Sequence, residues 1–100
     1  MPTFLVERTP GAAWVPGVDV REQPLWDEHA ASMDHLLARG HVVLGGPAAG
    51  AGGAALLAME SASEVELRSL LASDPWCVDA DILRIGRIRE WRVFLDARGR

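Results

Sequence analysis

The residue best suited to chemistry in this sequence is His29. Histidine takes up and releases protons near neutral pH, as a general acid or base must. At about 100° per residue, His29 falls in the middle of the apolar stripe of a predicted helix. The rest of that stripe consists of Leu25, Trp26, Met33, Leu36 and Leu37. A histidine at such a position is either a hydrogen-bonded core residue or a group that faces a pocket, and the spacing fits both.

Other groups of reactive residues lack the spacing of a known kind of site. The three histidines do not share a face, so the sequence shows no metal-ligand pattern. Cys77 is the single cysteine, which leaves no partner for a disulfide. The glycine-rich segments 45–47 and 50–53 lack the Lys-Ser/Thr of a P-loop, and Asp79 and Asp81 lack the further oxygen ligands of a calcium loop. The sequence therefore predicts no cofactor and no metal ion.

Length and composition predict one folded domain, residues 1–100. Apolar residues make up 49% and charged residues 24% of the chain, as in globular proteins and unlike disordered ones. The start of the sequence lacks the basic and apolar regions of a signal peptide, and no apolar run reaches membrane-spanning length. We therefore expect a cytoplasmic protein with no membrane partner.

The charge pattern argues against nucleic-acid binding. All ten basic residues are arginines, and they are concentrated from Arg84 onward, where guanidinium groups are able to bind phosphate. The formal net charge is nevertheless -4, and no aromatic stacking platform accompanies the arginines. We interpret this cluster as the solvated face of a strand and expect no nucleic-acid partner.

Local patterns predict four strands around a long loop. β-Type residues bounded by turn signals place the strands at 3–8, 41–44, 54–59 and 85–95. In the last strand, one face is expected to carry Ile85, Trp91, Val93 and Leu95, and the other Ile88 and Phe94. The Pro/Gly-rich segment 9–23 is expected to be an ordered loop, with Trp14 packed back onto the domain.

Two helices are predicted between these strands. The first spans 24–39, with proline in its first turn and Gly40 as its C-terminal cap. The second spans 64–73 and is opened by a capping box made of Ser63 and Glu66. Its apolar side is expected to consist of Val65, Leu67, Leu70 and Leu71.

The order of elements, βαββαβ, predicts an α+β, ferredoxin-like fold. Such a fold is a four-stranded antiparallel sheet with two helices on one face. The other face of the sheet is then left bare. Because an exposed apolar sheet face on a soluble domain usually finds a partner, we expect a second copy to cover it in a homodimer.

Several strings of this sequence resemble the YCII-related family. They are Trp26-Asp-Glu-His29, Met33-Asp-His-Leu-Leu-Ala-Arg-Gly40, Val43-Leu-Gly-Gly-Pro47 and Asp74-Pro75-Trp76. In that family a helix-borne histidine, a Gly-Pro turn after the second strand and an Asp-Pro-aromatic step after the second helix occur in this order. The resemblance covers nearly the whole chain and implies a dimeric α+β barrel, in which two ferredoxin-like sheets face each other. The chain departs from the family in its lack of tyrosine and in its long 9–23 loop.

The resemblance also implies a His-Asp acid–base pair, which maps onto His29 and Asp74. A carboxylate within hydrogen-bond reach fixes the tautomer of a histidine and suits it to abstract a proton from an acidic carbon or hydroxyl. Some relatives resemble or act as dehydrochlorinases on chlorinated hydroxyquinols, so a cofactor-independent lyase or isomerase is implied here. In the structural alternative, His29 is a core residue and Asp74 only caps the end of the second helix.

Four further residues are predicted to contact a substrate. Trp26 and Trp76 flank the pair in sequence and suit the apolar walls of a site for a flat ligand. Arg8 and Arg21 are able to balance an anionic substrate, although solvated arginine is the commoner outcome. The predicted function is chemistry on a small cyclic or aromatic organic molecule. The alternative is a non-catalytic, metabolite-binding or accessory dimer.

Overall fold

The fold is α+β, with four antiparallel strands and two helices, as the sequence predicts. The computed structural model describes residues 1–50 and 52–98. Its elements are β1 (Thr3–Pro10), α1 (Trp26–Ala38), β2 (Val42–Pro47), β3 (Ala55–Glu60), α2 (Glu64–Ala72) and β4 (Leu83–Glu90), with a short 3-10 helix at Val20–Glu22. No helix in these described ranges has both the length and the apolar character needed to cross a bilayer.

The four strands form one sheet in the order β2-β3-β1-β4. Each neighbouring pair is antiparallel, with Val6 of β1 opposite Leu57 of β3 and Ile88 of β4. This order is compatible with a ferredoxin-like fold. It places β1 between β3 and β4. Alternate side chains of β1 face the two helices, and the others lie on the opposite face of the sheet.

The core lies between the inner face of the sheet and the two helices. Alternate residues of β1 and β3 point into it, because successive side chains of a strand point to opposite faces. The helices contribute Leu36 from α1 and Leu67 and Leu71 from α2. Within the described residues, the members of this cluster are Phe4, Val6, Leu36, Val42, Leu57, Met59, Leu67 and Leu71.

The start of α2 is the capping box that the sequence predicts, except that the Glu66 carboxylate binds residues that precede Ser63. The Ser63 Oγ accepts a hydrogen bond from the Glu66 N–H at 3.1 Å. The Glu66 carboxylate accepts from the Ser61 hydroxyl at 2.6 Å and from the Ala62 N–H at 3.1 Å, and these two bonds lower the pKa of Glu66. Val65 was expected on the buried side of this helix, but it is exposed.

The first helix starts two residues later than predicted. Leu25 has φ 60°, in the left-handed region, and therefore lies outside the helix as its N-cap residue. Its side chain is exposed instead of buried, and so is that of Leu37. The helix ends at Ala38, one residue before the predicted end, and Gly40, with φ 81°, confirms the predicted C-terminal cap.

The second strand continues through the glycines that were expected to end it. Gly45 lies opposite Leu57 of β3, and a Cβ at this position would overlap the Leu57 side chain. Glycine here is therefore a packing requirement within the strand and not a turn signal. Pro47 is tolerated because β2 is an edge strand, where a missing N–H need not break the sheet.

The last strand is displaced toward the N-terminus of the chain relative to the prediction. It begins at Leu83 and ends at Glu90, close to where its partner β1 begins at Thr3, whose carbonyl accepts from the Trp91 N–H at 2.8 Å. The residues predicted for the last positions of this strand lie beyond Glu90 and are exposed. They are Trp91, Val93, Phe94 and Leu95.

Candidate functional site

His29 and Asp74 contact each other although 45 positions separate them in the sequence. The Nδ1 atom of His29 lies 2.8 Å from Oδ1 and 2.9 Å from Oδ2 of Asp74. His29 belongs to the first turns of α1, and Asp74 follows directly after the C-cap residue of α2. The start of α1 and the end of α2 therefore bring the pair together.

The carboxylate of Asp74 is oriented by its own turn before His29 is considered. The Trp76 N–H donates to Oδ1 at 3.0 Å, and the Cys77 N–H donates to the Asp74 carbonyl at 2.9 Å. Aspartate commonly forms such local bonds to the backbone two residues ahead. Pro75 fits this turn because it has no N–H that would need a partner. The Asp-Pro-Trp step thus supplies a fixed carboxylate.

Arg8 binds Asp74, whereas the sequence placed it on an anionic substrate. Its Nη1 atom donates to Asp74 Oδ2 at 2.7 Å and its Nη2 atom donates to the Leu83 carbonyl at 3.2 Å. The Arg8 side chain is 1% exposed and that of Asp74 is 0% exposed, so this is a buried ion pair. Within the described residues, Arg8 Nε is the buried side-chain nitrogen that lacks a hydrogen-bond partner.

These contacts keep Asp74 ionised. Burial raises the pKa of Asp74, but the hydrogen bonds from His29, Arg8 and the Trp76 N–H together outweigh burial and lower the pKa below its usual value. An ionised carboxylate only accepts hydrogen bonds, so His29 donates through Nδ1–H. No hydrogen bond to the other ring nitrogen, Nε2, is found within residues 1–50 and 52–98. Nε2 is therefore the nitrogen that remains for a ligand.

Tryptophan side chains fix the plane of the imidazole. The ring of Trp76 stacks on that of His29, with centroids 3.8 Å apart and planes 5° apart. Trp76 is completely buried, and its Nε1–H donates to the Pro24 carbonyl at 2.6 Å, just before α1. Trp26 packs against His29 with ring centroids 5.7 Å apart, and Trp14 meets Trp76 edge-on with ring centroids 6.2 Å apart. The expected folding of Trp14 back onto the domain is thus confirmed.

A cleft of about 810 Å³ opens beside the pair. It is bounded by α1, by the loop that precedes α1 and by the hairpin of β2 and β3. Its lining includes His29 and is otherwise largely apolar, with Trp14, Val20, Trp26, Met33, Leu57 and Trp76 among its members. Since about 11% of the His29 side chain is exposed, the imidazole forms part of the wall of this cleft.

Arg21 lies at the rim of the same cleft. It belongs to the 3-10 helix, its side chain is exposed, and no ion pair to its guanidinium is found in the described part of the chain. Of the two predicted anion-binding arginines, Arg21 therefore keeps its charge available to a ligand, whereas Arg8 does not. Asp19 and Asp34 also line the cleft, so its rim carries charges of both signs.

No sequence pattern indicates the residue that holds the loop in front of the cleft. Gln23 is buried, and its side chain accepts from the Val15 N–H at 2.9 Å and donates to the carbonyls of Val15 at 2.8 Å and Val18 at 3.1 Å. Gly53 of the hairpin supports the same loop, because a Cβ there would overlap the ring of Trp14. A loop has no periodicity to reveal such contacts, so the sequence carries little signal for them.

A scan against models of known protein families finds no match to this chain, and a search of the curated proteins likewise finds none.

Proposed function

We propose that this chain is a cofactor-independent lyase or isomerase in which His29 is the general base and Asp74 orients it. The observation that carries the proposal is the 2.8 Å contact between His29 Nδ1 and Asp74, which leaves Nε2 as the ring nitrogen available at the cleft. A carboxylate that fixes one ring nitrogen and leaves the other to the substrate is the usual arrangement of a catalytic histidine.

The proposed reaction begins with proton transfer to Nε2. The lone pair of Nε2 takes a proton from an acidic carbon or hydroxyl of the substrate, while Asp74 holds Nδ1–H and so keeps Nε2 directed at the substrate. Return of that proton to a different atom of the substrate gives an isomer. If a leaving group lies on the neighbouring carbon, the electron pair of the broken C–H bond forms a double bond and the group departs with its own electrons, which is an elimination.

The lining of the cleft suggests the substrate class. Flat aromatic walls at Trp26 and Trp14 favour a cyclic or aromatic molecule, because stacked rings bury much apolar surface. Arg21 at the rim suits a carboxylate or phenolate on that ring. A small aromatic or cyclic acid or a phenol, including chlorinated hydroxyquinols, therefore fits this site best.

Membership of the YCII-related family is part of this proposal. It is supported by the order of the elements, by a histidine in the first helix and by an Asp-Pro-Trp step directly after the second. The proposed assembly is the homodimer in which the outer faces of two sheets meet. Its support is a row of apolar residues in register on three strands, namely Leu5, Ala58 and Leu44, next to the exposed Leu56.

The substrate class is tested by a binding screen that uses the tryptophans of the cleft as reporters. We expect aromatic and cyclic acids and phenols to quench the fluorescence of a Trp91→Phe variant, in which the remaining tryptophans all line the cleft. Arg21→Met is expected to weaken binding of an ionised ligand about threefold to fivefold and to leave its uncharged ester unaffected. Hits are then assayed for conversion. Equal binding of acid and ester by both proteins would contradict the role of Arg21, and binding without conversion would identify a metabolite-binding module instead.

The dimer is tested by light scattering after size-exclusion chromatography. We expect the mass of two chains, and we expect Leu56→Asp to shift the protein toward one chain because it places a charge within the apolar outer face. Val65→Asp is the matched control, since Val65 is exposed on α2 and away from the sheet. A wild-type mass of one chain at every concentration would contradict the dimer.

A further inference from the structure

We infer that Arg8 is a positioning residue of this site: its guanidinium neutralises Asp74 and so leaves the His29 imidazole uncharged, with Nε2 free to act as a base. The inference rests on the proposed function for its meaning in catalysis. Its physical content, which is the charge state of His29, stands apart from any substrate.

The first step is that one buried carboxylate contacts two groups able to carry positive charge. Asp74 accepts from Arg8 Nη1 at 2.7 Å and from His29 Nδ1 at 2.8 Å. The side chains of Arg8, Asp74 and His29 are 1%, 0% and 11% exposed. In a buried site each charge is costly unless an opposite charge offsets it, and a single negative charge requires a single positive one.

The second step is that arginine meets this requirement at every pH of interest. A guanidinium stays protonated in proteins, whereas an imidazole readily loses its proton. With Arg8 bound to Asp74 the pair is neutral, and a proton on Nε2 would add an uncompensated positive charge beside the buried guanidinium. The uncharged imidazole, with Nδ1–H directed at Asp74, is therefore favoured.

The third step is that the other charged groups of the cleft have little effect on the charge state of His29. The turn after α2 presents Asp74, which contacts the imidazole, and β1 presents Arg8, which binds the same buried carboxylate. The other charged groups of the cleft are Asp34 on the same helix and Asp19 and Arg21 on the loop, and these are exposed and screened by water. Without Arg8, the charge on Asp74 would be balanced by protonation of His29, and the base would be lost.

The test is an NMR pH titration of the His29 ring in the absence of any ligand, with the signal assigned by its loss in His29→Gln. We expect Arg8→Met to move the midpoint of this titration upward by about 1 pH unit or more. Arg8→Lys keeps the charge and is expected to leave the midpoint close to that of the wild type. Arg89→Met, which removes an exposed arginine paired with Glu7, is the matched control and is expected to change nothing. An unchanged midpoint in folded Arg8→Met overturns the inference.

A second variant keeps the test decisive if Arg8→Met fails to fold. Arg8→Met/Asp74→Asn buries no charge at this site and preserves an acceptor for Nδ1–H. If Arg8 compensates Asp74 as inferred, removal of both charges leaves the midpoint close to the wild-type value. A clearly lower midpoint would mean that Asp74 acts on His29 without compensation by Arg8, and it would overturn the inference.

Catalysis separates this inference from the proposed function. For a hit substrate, Arg8→Met is expected to lower kcat at neutral pH and to recover activity as the pH rises, with little change in KM. A shifted midpoint together with full turnover by His29→Ala would retain the charge role of Arg8 and remove the proposed function. The reverse result, an essential His29 with an unmoved midpoint, would remove the role of Arg8 alone.

Discussion

Replacement of His29 with alanine is expected to lower turnover of a hit substrate by about 10²- to 10⁴-fold while the protein remains folded. The loss follows because Nε2 is the proposed proton acceptor, and no other histidine lines the cleft. The fold is expected to survive, since Arg8 and Asp74 still bond to each other and Trp76 keeps its bond to Pro24. Steady-state kinetics and circular dichroism measure the two results.

His35→Ala is the matched control for this prediction. It removes a histidine from the same helix, but His35 is exposed and does not line the cleft. Its turnover is expected to equal that of the wild type. If His29→Ala turns over substrate at the wild-type rate, His29 is not the base, whatever its distance from Asp74.

Replacement of Asp74 with alanine is expected to lower the free energy of unfolding by about 3–5 kcal/mol, the usual cost of breaking a buried ion pair. The cost arises because Arg8 remains buried with its charge uncompensated. Arg8→Met/Asp74→Leu removes both charges and is expected to recover most of this loss. Urea unfolding of the three proteins checks the prediction. Equal stability of Asp74→Ala and the wild type would show that the ion pair contributes nothing.

The same carboxylate makes stability depend on acidity. Burial raises the pKa of Asp74, but the hydrogen bonds from His29, Arg8 and Trp76 lower this pKa by more than burial raises it. The folded pKa therefore lies below the unfolded one. Such a group stabilises the fold above its unfolded pKa, and this contribution is lost as the pH falls through the folded pKa. In the double variant the decline in stability below about pH 4 should be shallower. Part of the decline in stability is expected to remain in the double variant, because the pKa of Asp81 is also lowered, to about 2 and chiefly by Arg84.

The sequence predicts the helix that carries His29 and the turn that carries Asp74, for different reasons. The apolar stripe of the first helix has a clear period, which places His29 among residues that face the core. The link from His29 to Asp74 spans 45 positions, and no local pattern contains it; it enters through the resemblance to a family. The contact itself depends on how two helices pack on one sheet.

The position of Arg8 on the inner face of the sheet was predictable, but the burial of its guanidinium was not. Arg8 follows Phe4 and Val6 at alternate positions of β1, so the period of a strand puts all three on the inner face. An arginine near the end of a strand is usually solvated or free to balance a ligand, and Arg8 was therefore predicted to contact an anionic substrate. Only the position of Asp74 at the end of that face makes burial of the guanidinium favourable.

The remaining differences arise from pairing between distant segments. Where β4 ends depends on where β1 begins, and the continuation of β2 through Gly45 depends on the side chain of Leu57. Neither partner is close in sequence, so turn residues and β-type runs mislead at these points. Leu25 was misplaced for a local reason, because its left-handed backbone conformation is uncommon for a leucine.

The most direct test of acid–base chemistry at His29 is the exchange of a bound ligand's acidic hydrogen for deuterium in D₂O, followed by NMR. This measurement detects proton transfer even when no later step of a reaction occurs. We expect the wild type to accelerate exchange at one position of a cleft-binding ligand and His29→Ala to bind the ligand without accelerating exchange. Equal exchange by the two proteins would contradict the claim that Nε2 of His29 moves the proton.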